Sequence, residues 1–222
     1  MAEHLILFKT DMVDSINAGI KNQTRRLITE RNSRSTSKLQ ELNFKDVVED
    51  DFLTPNREGY LKVARPDDTR HRVFCKYEVG DILLVKETWC YAGYNNVQDG
   101  KENYYDVIYR ASENGRLFEQ NFDGWRWKSP LFLKKADVRI KLEITGVRAE
   151  QLAKISDTDC IGEGIAYWGG KSSGYFKDYD KSAKSDIPMS ARGSYMSLWD
   201  SINGNGNFAT NPYVWVIDFK VK

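Results

Sequence analysis

Residues 138–165 read VRIKLEITGVRAEQLAKISDTDCIGEGI. The first part alternates, with Ile140, Leu142 and Ile144 on one side of an extended chain and Arg139, Lys141 and Glu143 on the other. That is the period-two pattern of an antiparallel strand with one face in a core. The second part changes character. Ser156 stands three residues before Asp159, the capping-box spacing that opens a helix, so a short helix is expected to start there.

On the N-terminal side, VGDILLVKETW (79–89) predicts a turn at Gly80–Asp81 and then a strand. In that strand Leu83, Val85, Glu87 and Trp89 share one face, while Ile82, Leu84, Lys86 and Thr88 share the other. LILF (5–8) and YDVIYRA (105–111) read as further strands, the latter followed by an ENGR turn at 113–116. In DMVDSINAGI (11–20), Met12, Val13, Ile16 and Ile20 fall at helical spacing, which predicts a helix over about 12–18 with Asp11 as N-cap and Gly19 as the stop. On the C-terminal side SYMSLWDSI (194–202) is an amphipathic helix stopped by NGNGN. The final YVWVIDFKVK puts Trp215, Ile217, Phe219 and Val221 on one face. Residues 29–74 and 166–193 lack a sustained period and read as long loop insertions. Several strands, three short helices and turn-rich connections define an α+β chain, expected to form a small mixed β-barrel.

With 222 residues the chain is long enough for a substantial core, and 41% hydrophobic with 29% charged residues is an ordinary globular composition. The net charge of +1 provides no global field toward nucleic acid. Locally, residues 21–38 hold six Lys/Arg against one Glu, and 39–51 hold five acids against one Lys. The apolar runs are too short to span a bilayer, and the first ten residues lack the basic start and long apolar stretch of a signal peptide. A cytoplasmic protein with no membrane partner is therefore expected. Cys75, Cys90 and Cys160 are widely spaced, and only His4 and His71 could join them, so neither a disulfide framework nor a structural zinc is expected.

Gly19, Lys21 and Arg26 form a G-x-K-x-x-x-x-R spacing after the N-terminal helix. Downstream follow GDILLVKETW, WKSP, a strand leading into ITGVRAEQLAKISDTDCIGEGI, and LWDSINGNG before VWVIDF. This order resembles the ASCH domain of the PUA-like superfamily, in the long form found in phage and prophage proteins. The resemblance implies one domain over 1–222, with the insertions at about 29–74 and 166–193 outside the shared part. It also implies a compact barrel with helices at its rim, no cofactor, and a cleft suited to RNA or a modified nucleoside. At the reactive positions the chain is similar to the amidohydrolase that removes acetyl from N4-acetylcytidine: Lys21, Thr24 and Arg26 fall on its motif and Glu163 on its later carboxylate, although this chain is about twice as long.

The chemistry of these residues is coherent. A threonine hydroxyl attacks only if a base lies within hydrogen-bond reach. A lysine becomes that base when burial or neighbouring cations such as Arg25 and Arg26 lower its pKa. Glu163 would assist proton transfer, and Arg26 would face an oxyanion or a phosphate. The bottom-up alternative is a solvated cluster near a helix end, with Glu163 bonded to backbone between its two glycines. Glu87 projects from an apolar face, so Lys21 or Arg26 is its expected partner. Trp89, Trp125, Trp127 and Trp199 are candidates for stacking on bases, with core packing expected for at least half of them, and Lys128 is a candidate phosphate contact. Arg25, Arg26, Glu87, Trp89, Lys128 and Trp199 are thus the candidate binding residues. Three other readings stand beside the hydrolase: a non-catalytic RNA-binding module, a metal-independent ribonuclease, and a phage assembly factor with a vestigial cleft.

Overall fold

The computed structural model describes residues 1–29, 31, 33–35, 60–64, 70–93, 105–112, 126–169, 174–180 and 188–222. The turn expected at 113–116 and Trp125 lie outside them. Among the described residues ten strands and three α-helices follow in chain order: β1 (Glu3–Leu7), α1 (Thr10–Asn17), β2 (Gln23–Leu27), β3 (Ser33–Ser35), β4 (Tyr60–Ala64), β5 (Arg70–Cys75), β6 (Ile82–Lys86), β7 (Trp89–Gly93), β8 (Tyr105–Tyr109), β9 (Lys141–Gln151), α2 (Asp157–Gly162), α3 (Ala191–Asn203) and β10 (Tyr213–Val221). The molecule is mixed α+β, and among the described residues no helix is long and apolar enough to cross a membrane.

The main sheet has the order β1-β6-β9-β10-β2. Only β1–β6 is parallel; the other pairs are antiparallel. β10 lies between β9 and β2, and both of its faces are buried. Trp215, Ile217 and Phe219 join Leu83, Val85, Leu142 and Ile144 in one cluster beneath Val13 and Ile16 of α1. Val214 and Val216 join Tyr195, Leu198 and Trp199 of α3 and Cys160 of α2 in a second. A strand covered on both sides reads as an unbroken apolar run, which explains VWVI. The expected inward face ends early, because Val221, near the end of the strand, is 58% exposed.

The alternation of β9 also changes midway. Asp218 pairs with Gly146 and Phe219 with Ile144, so Thr145 is an extra residue, a β-bulge. Leu142 and Ile144 pack into the first cluster before the bulge, and Val147 and Ala149 pack into it after. Arg148 and Glu150 therefore face the second cluster.

The sheet is open rather than a closed barrel. β1 and β2 are its edges, with no ladder between them. Side chains take that place: Arg26 donates from a terminal guanidinium nitrogen to the Leu7 carbonyl at 3.1 Å. The Lys21 amine and the Arg26 guanidinium lie 5.2 and 5.4 Å from the centre of the Phe8 ring.

Two further differences concern local segments. The 29–74 stretch is not wholly loop, since β3 and β4 flank β5 in a separate antiparallel sheet. Helix α1 starts at Thr10 with Lys9 at the cap position and no side-chain capping bond, so Asp11 falls in the first turn, where its charge meets the positive end of the helix. The Ser156 cap is as expected: its hydroxyl accepts from the Asp159 N–H at 3.1 Å. Within 166–193, Phe176 makes isolated bridges to Tyr167 and Met189 before α3 begins.

Candidate functional site

The site forms where the end of α2 presses against the start of β2. The Gly162 carbonyl accepts from the Asn22 N–H at 3.0 Å. A Cβ at Gly162 would meet the Gln23 side-chain nitrogen at 2.6 Å, and one at Gly164 would meet Cβ of both Lys21 and Ser15 at 2.9 Å. Gly164 also adopts φ +84°, a region that suits glycine. The two glycines thus let the backbone close in on Lys21, and Glu163 between them is held where its carboxylate reaches inward.

Lys21 is buried, and its ammonium donates to three oxygens: the Gln23 carbonyl at 2.9 Å, the Glu163 carbonyl at 2.6 Å and Glu163 Oε2 at 3.1 Å. The other carboxylate oxygen, Oε1, accepts from Arg25 at 3.2 Å. Arg25 extends from β2 on the face opposite Thr24 and has no exposed side-chain surface. It also pairs with Glu150 of β9 at 2.6 Å and with Asp159 of α2 at 3.2 Å. Gln23 donates to Asp159 at 2.9 Å and accepts from Arg25 at 3.0 Å. At the margin Arg148 joins Asp218 at 2.6 Å and Glu150 at 3.4 Å. A carboxylate is thereby clamped between an amine and a guanidinium, inside a connected network of charges.

Burial pushes the Lys21 amine below its ordinary pKa, with Glu163 opposing and the charges of Arg26 and Arg25 adding to the shift. Burial alone would weaken the Arg25 charge, but Glu163 and Glu150 more than offset it and raise its pKa. Burial lowers that of Arg26. Burial also raises Tyr195 of α3 well above the usual phenol value, and the nearby Glu163 carboxylate adds to this. The Cys160 thiol, buried beside the network, is pushed up to about 12.

Lys21 and Glu163, both candidate reactive residues from the sequence, are in direct contact. Thr24 is buried on β2 opposite Ile217 of β10, on the same face as Arg26. No hydrogen bond joins its hydroxyl to the amine of Lys21 or to the Glu163 carboxylate. Arg26 lies in the gap between the sheet edges, and its buried Nε has no hydrogen-bond partner among the described residues. Glu87 is buried at 1% exposure, but its partner is Arg139 rather than Lys21 or Arg26. That guanidinium grips both carboxylate oxygens, at 2.8 and 2.9 Å, because Arg139, just ahead of β9, reaches back to the end of β6. Trp89 is buried, donates to the Ser129 carbonyl at 3.3 Å and packs edge-on to Tyr91. Trp199 is buried in the second cluster and donates to Asn207 at 2.8 Å. Neither ring offers an open face. Trp127 is half-buried beneath the Arg110 guanidinium. Lys128 is exposed, its amine 5.0 Å from the centre of the Trp89 ring and 4.7 Å from that of Tyr91.

A hollow of about 520 Å³ opens beside the site, lined by Lys9, Met12, Gly164, Lys177, Tyr179 and Leu198 among others. Gly164 connects it to the network; Lys21, Thr24 and Glu163 do not line it. Among the described residues no group of three or more His, Cys, Asp and Glu side chains is placed to hold a metal ion.

Sequence reasoning missed Gln23, Glu150, Asp159, Arg148, Asp218 and Tyr195 as neighbours of the site. The signal for Arg148 and Glu150 is their alternation with Val147 and Ala149, which becomes readable only once the bulge at Thr145 is known. These features define a mixed α+β protein with a buried Lys–Glu–Arg cluster at the junction of a strand and a helix end. Comparison with family models, with curated proteins and with solved structures found no match to this chain.

Proposed function

We propose that this chain is an ASCH-type, PUA-like protein that binds RNA or a modified nucleoside and hydrolyses an amide on it, as on N4-acetylcytidine. The observation that carries the reading is the contact of the Lys21 amine, buried and shifted below its ordinary pKa, with a Glu163 carboxylate whose other oxygen is fixed by Arg25. In the neutral form the amine of Lys21 takes the Thr24 proton as the hydroxyl oxygen adds to the acyl carbon. The guanidinium of Arg26, with an unpartnered buried N–H, faces the oxyanion that develops. Collapse breaks the C–N bond, the cytosine amine leaves with a proton relayed through Lys21 and Glu163, and water then releases acetate from Thr24.

A second reading, a non-catalytic binding module, draws support from the hydrogen bonding itself. All three N–H donors of Lys21 are engaged and none reaches Thr24, as expected of a structural ion pair. To act as base Lys21 must give up one of these bonds. Incubation with N4-acetylcytidine separates the readings: turnover to cytidine that is abolished by Thr24→Ala is expected. Absence of turnover together with salt-sensitive RNA binding that weakens on Arg26→Ala would replace the hydrolase with the binding module.

A further inference from the structure

Residues 126–141 carry six cations, Arg126, Lys128, Lys134, Lys135, Arg139 and Lys141, against the single acid Asp137. Arg139 is paired with Glu87 and Lys135 with Glu3. Arg126, Lys128, Lys134 and Lys141 have no carboxylate within salt-bridge distance among the described residues. Between them the short turn Pro130–Phe132 lifts two apolar side chains into solvent, Leu131 at 59% and Phe132 at 69% exposure. Exposed aromatic surface flanked by cations is the make-up of a surface that stacks bases and neutralises phosphates.

This patch is connected to the buried site by contacts along one end of the sheet. The Lys128 backbone pairs with Trp89, and the Lys86 amine donates to the Leu131 carbonyl. Lys86 sits beside Leu7 in the β1–β6 ladder, and Leu7 accepts from Arg26. The path ends at the Arg26 Nε, which is buried and has no partner among the described residues. A flat anionic membrane would meet the cations and Phe132 only where they share a plane, whereas a flexible strand can follow the end of the sheet from them toward the half-buried Arg26.

We infer that Lys134, Phe132 and Lys128 form a docking track for a single-stranded nucleic acid, leading toward Arg26, so that a nucleoside within a strand is turned over faster than a free one. The direction of the track rests on the proposed nucleoside chemistry; strand binding does not. A fluorescently labelled single-stranded oligouridine of about 12 nucleotides, a length suited to such grooves, is titrated against the full chain at several salt concentrations by anisotropy. Replacing Lys128 and Lys134 with Glu should lower the log–log salt slope by about 0.7 for each phosphate that is no longer neutralised. Phe132→Ala should weaken binding about tenfold. Thermal melts confirm that the variants fold. Unchanged affinity and slope in the variants would overturn the track. So would binding to phosphatidylcholine–phosphatidylserine vesicles in the absence of oligonucleotide binding. Turnover of free N4-acetylcytidine without oligonucleotide binding overturns the track and leaves the hydrolase intact, whereas track-dependent binding without turnover does the reverse.

Discussion

The Arg25 guanidinium touches three carboxylates from two elements, β9 and the α2 end, without exposing its side chain. Removing one member of such a buried set leaves uncompensated charge at a cost of about 3–5 kcal/mol, which makes Arg25 a poor reader of substrate and a good anchor for Glu163. Its type was legible in TRRL, but its direction was not, because neighbouring arginines on a strand point to opposite faces and nothing local says which face a helix will cover. Asp81 offers a pH test at the same scale. Burial works against its charge, but hydrogen bonds from the Ala2 N–H, His4 and the Glu78 N–H outweigh this and hold its pKa below the ordinary value. A depressed carboxyl pKa contributes stability that is present above the unfolded value of about 3.9 and is lost as pH falls through the folded one. Asp81→Asn should therefore lower stability at pH 7 and flatten the loss below about pH 4, as read by urea unfolding at a series of pH values.

At the scale of elements, α2 shows how a short helix delivers function. Its six residues bring Asp159 to Gln23 and Arg25, and its C-cap is Glu163. So short a helix has little intrinsic stability and depends on its ends, with the Ser156 hydroxyl at one and the close backbone fit at Gly162 and Gly164 at the other. Ser156→Ala should cost about 1 kcal/mol, measurable as a lower urea midpoint with an unchanged m-value. If the proposed hydrolysis holds, kcat should fall with it as Glu163 loosens. This helix start was readable because capping chemistry is local; β6 and β10 were readable from their apolar runs, and the first half of β9 from its alternation. The sheet of β3, β4 and β5 was not readable: β3 is three polar residues, Ser-Arg-Ser, and β3 and β5 find each other across a long intervening stretch.

For the whole molecule, the decisive arrangement is the five-stranded main sheet, with a buried layer on each face and its edges bridged by side chains rather than by a ladder. The sequence order did not reveal that bridging, because closure depends on whether two distant strands meet, and here Phe8, Lys21 and Arg26 occupy the space where they would. Likewise the sequence set Glu87 inward only on the condition that its face is internal; the side chain is buried, and its partner is Arg139, just ahead of β9. The two buried layers impose a strict odd–even rule on the chain that runs between them. Thr145 is the surplus residue in that count, so excising it leaves Ile144 and Val147 on their present side and Arg148 and Glu150 on theirs. Excising Arg148 instead shifts Ala149, Glu150 and Gln151 to the wrong side at a stroke. A library of one-codon deletions through β9 should accordingly recover soluble, cooperatively melting protein for the loss of Thr145 and insoluble chains for the loss of Arg148, a tolerance to lineage-to-lineage length change confined to a single codon.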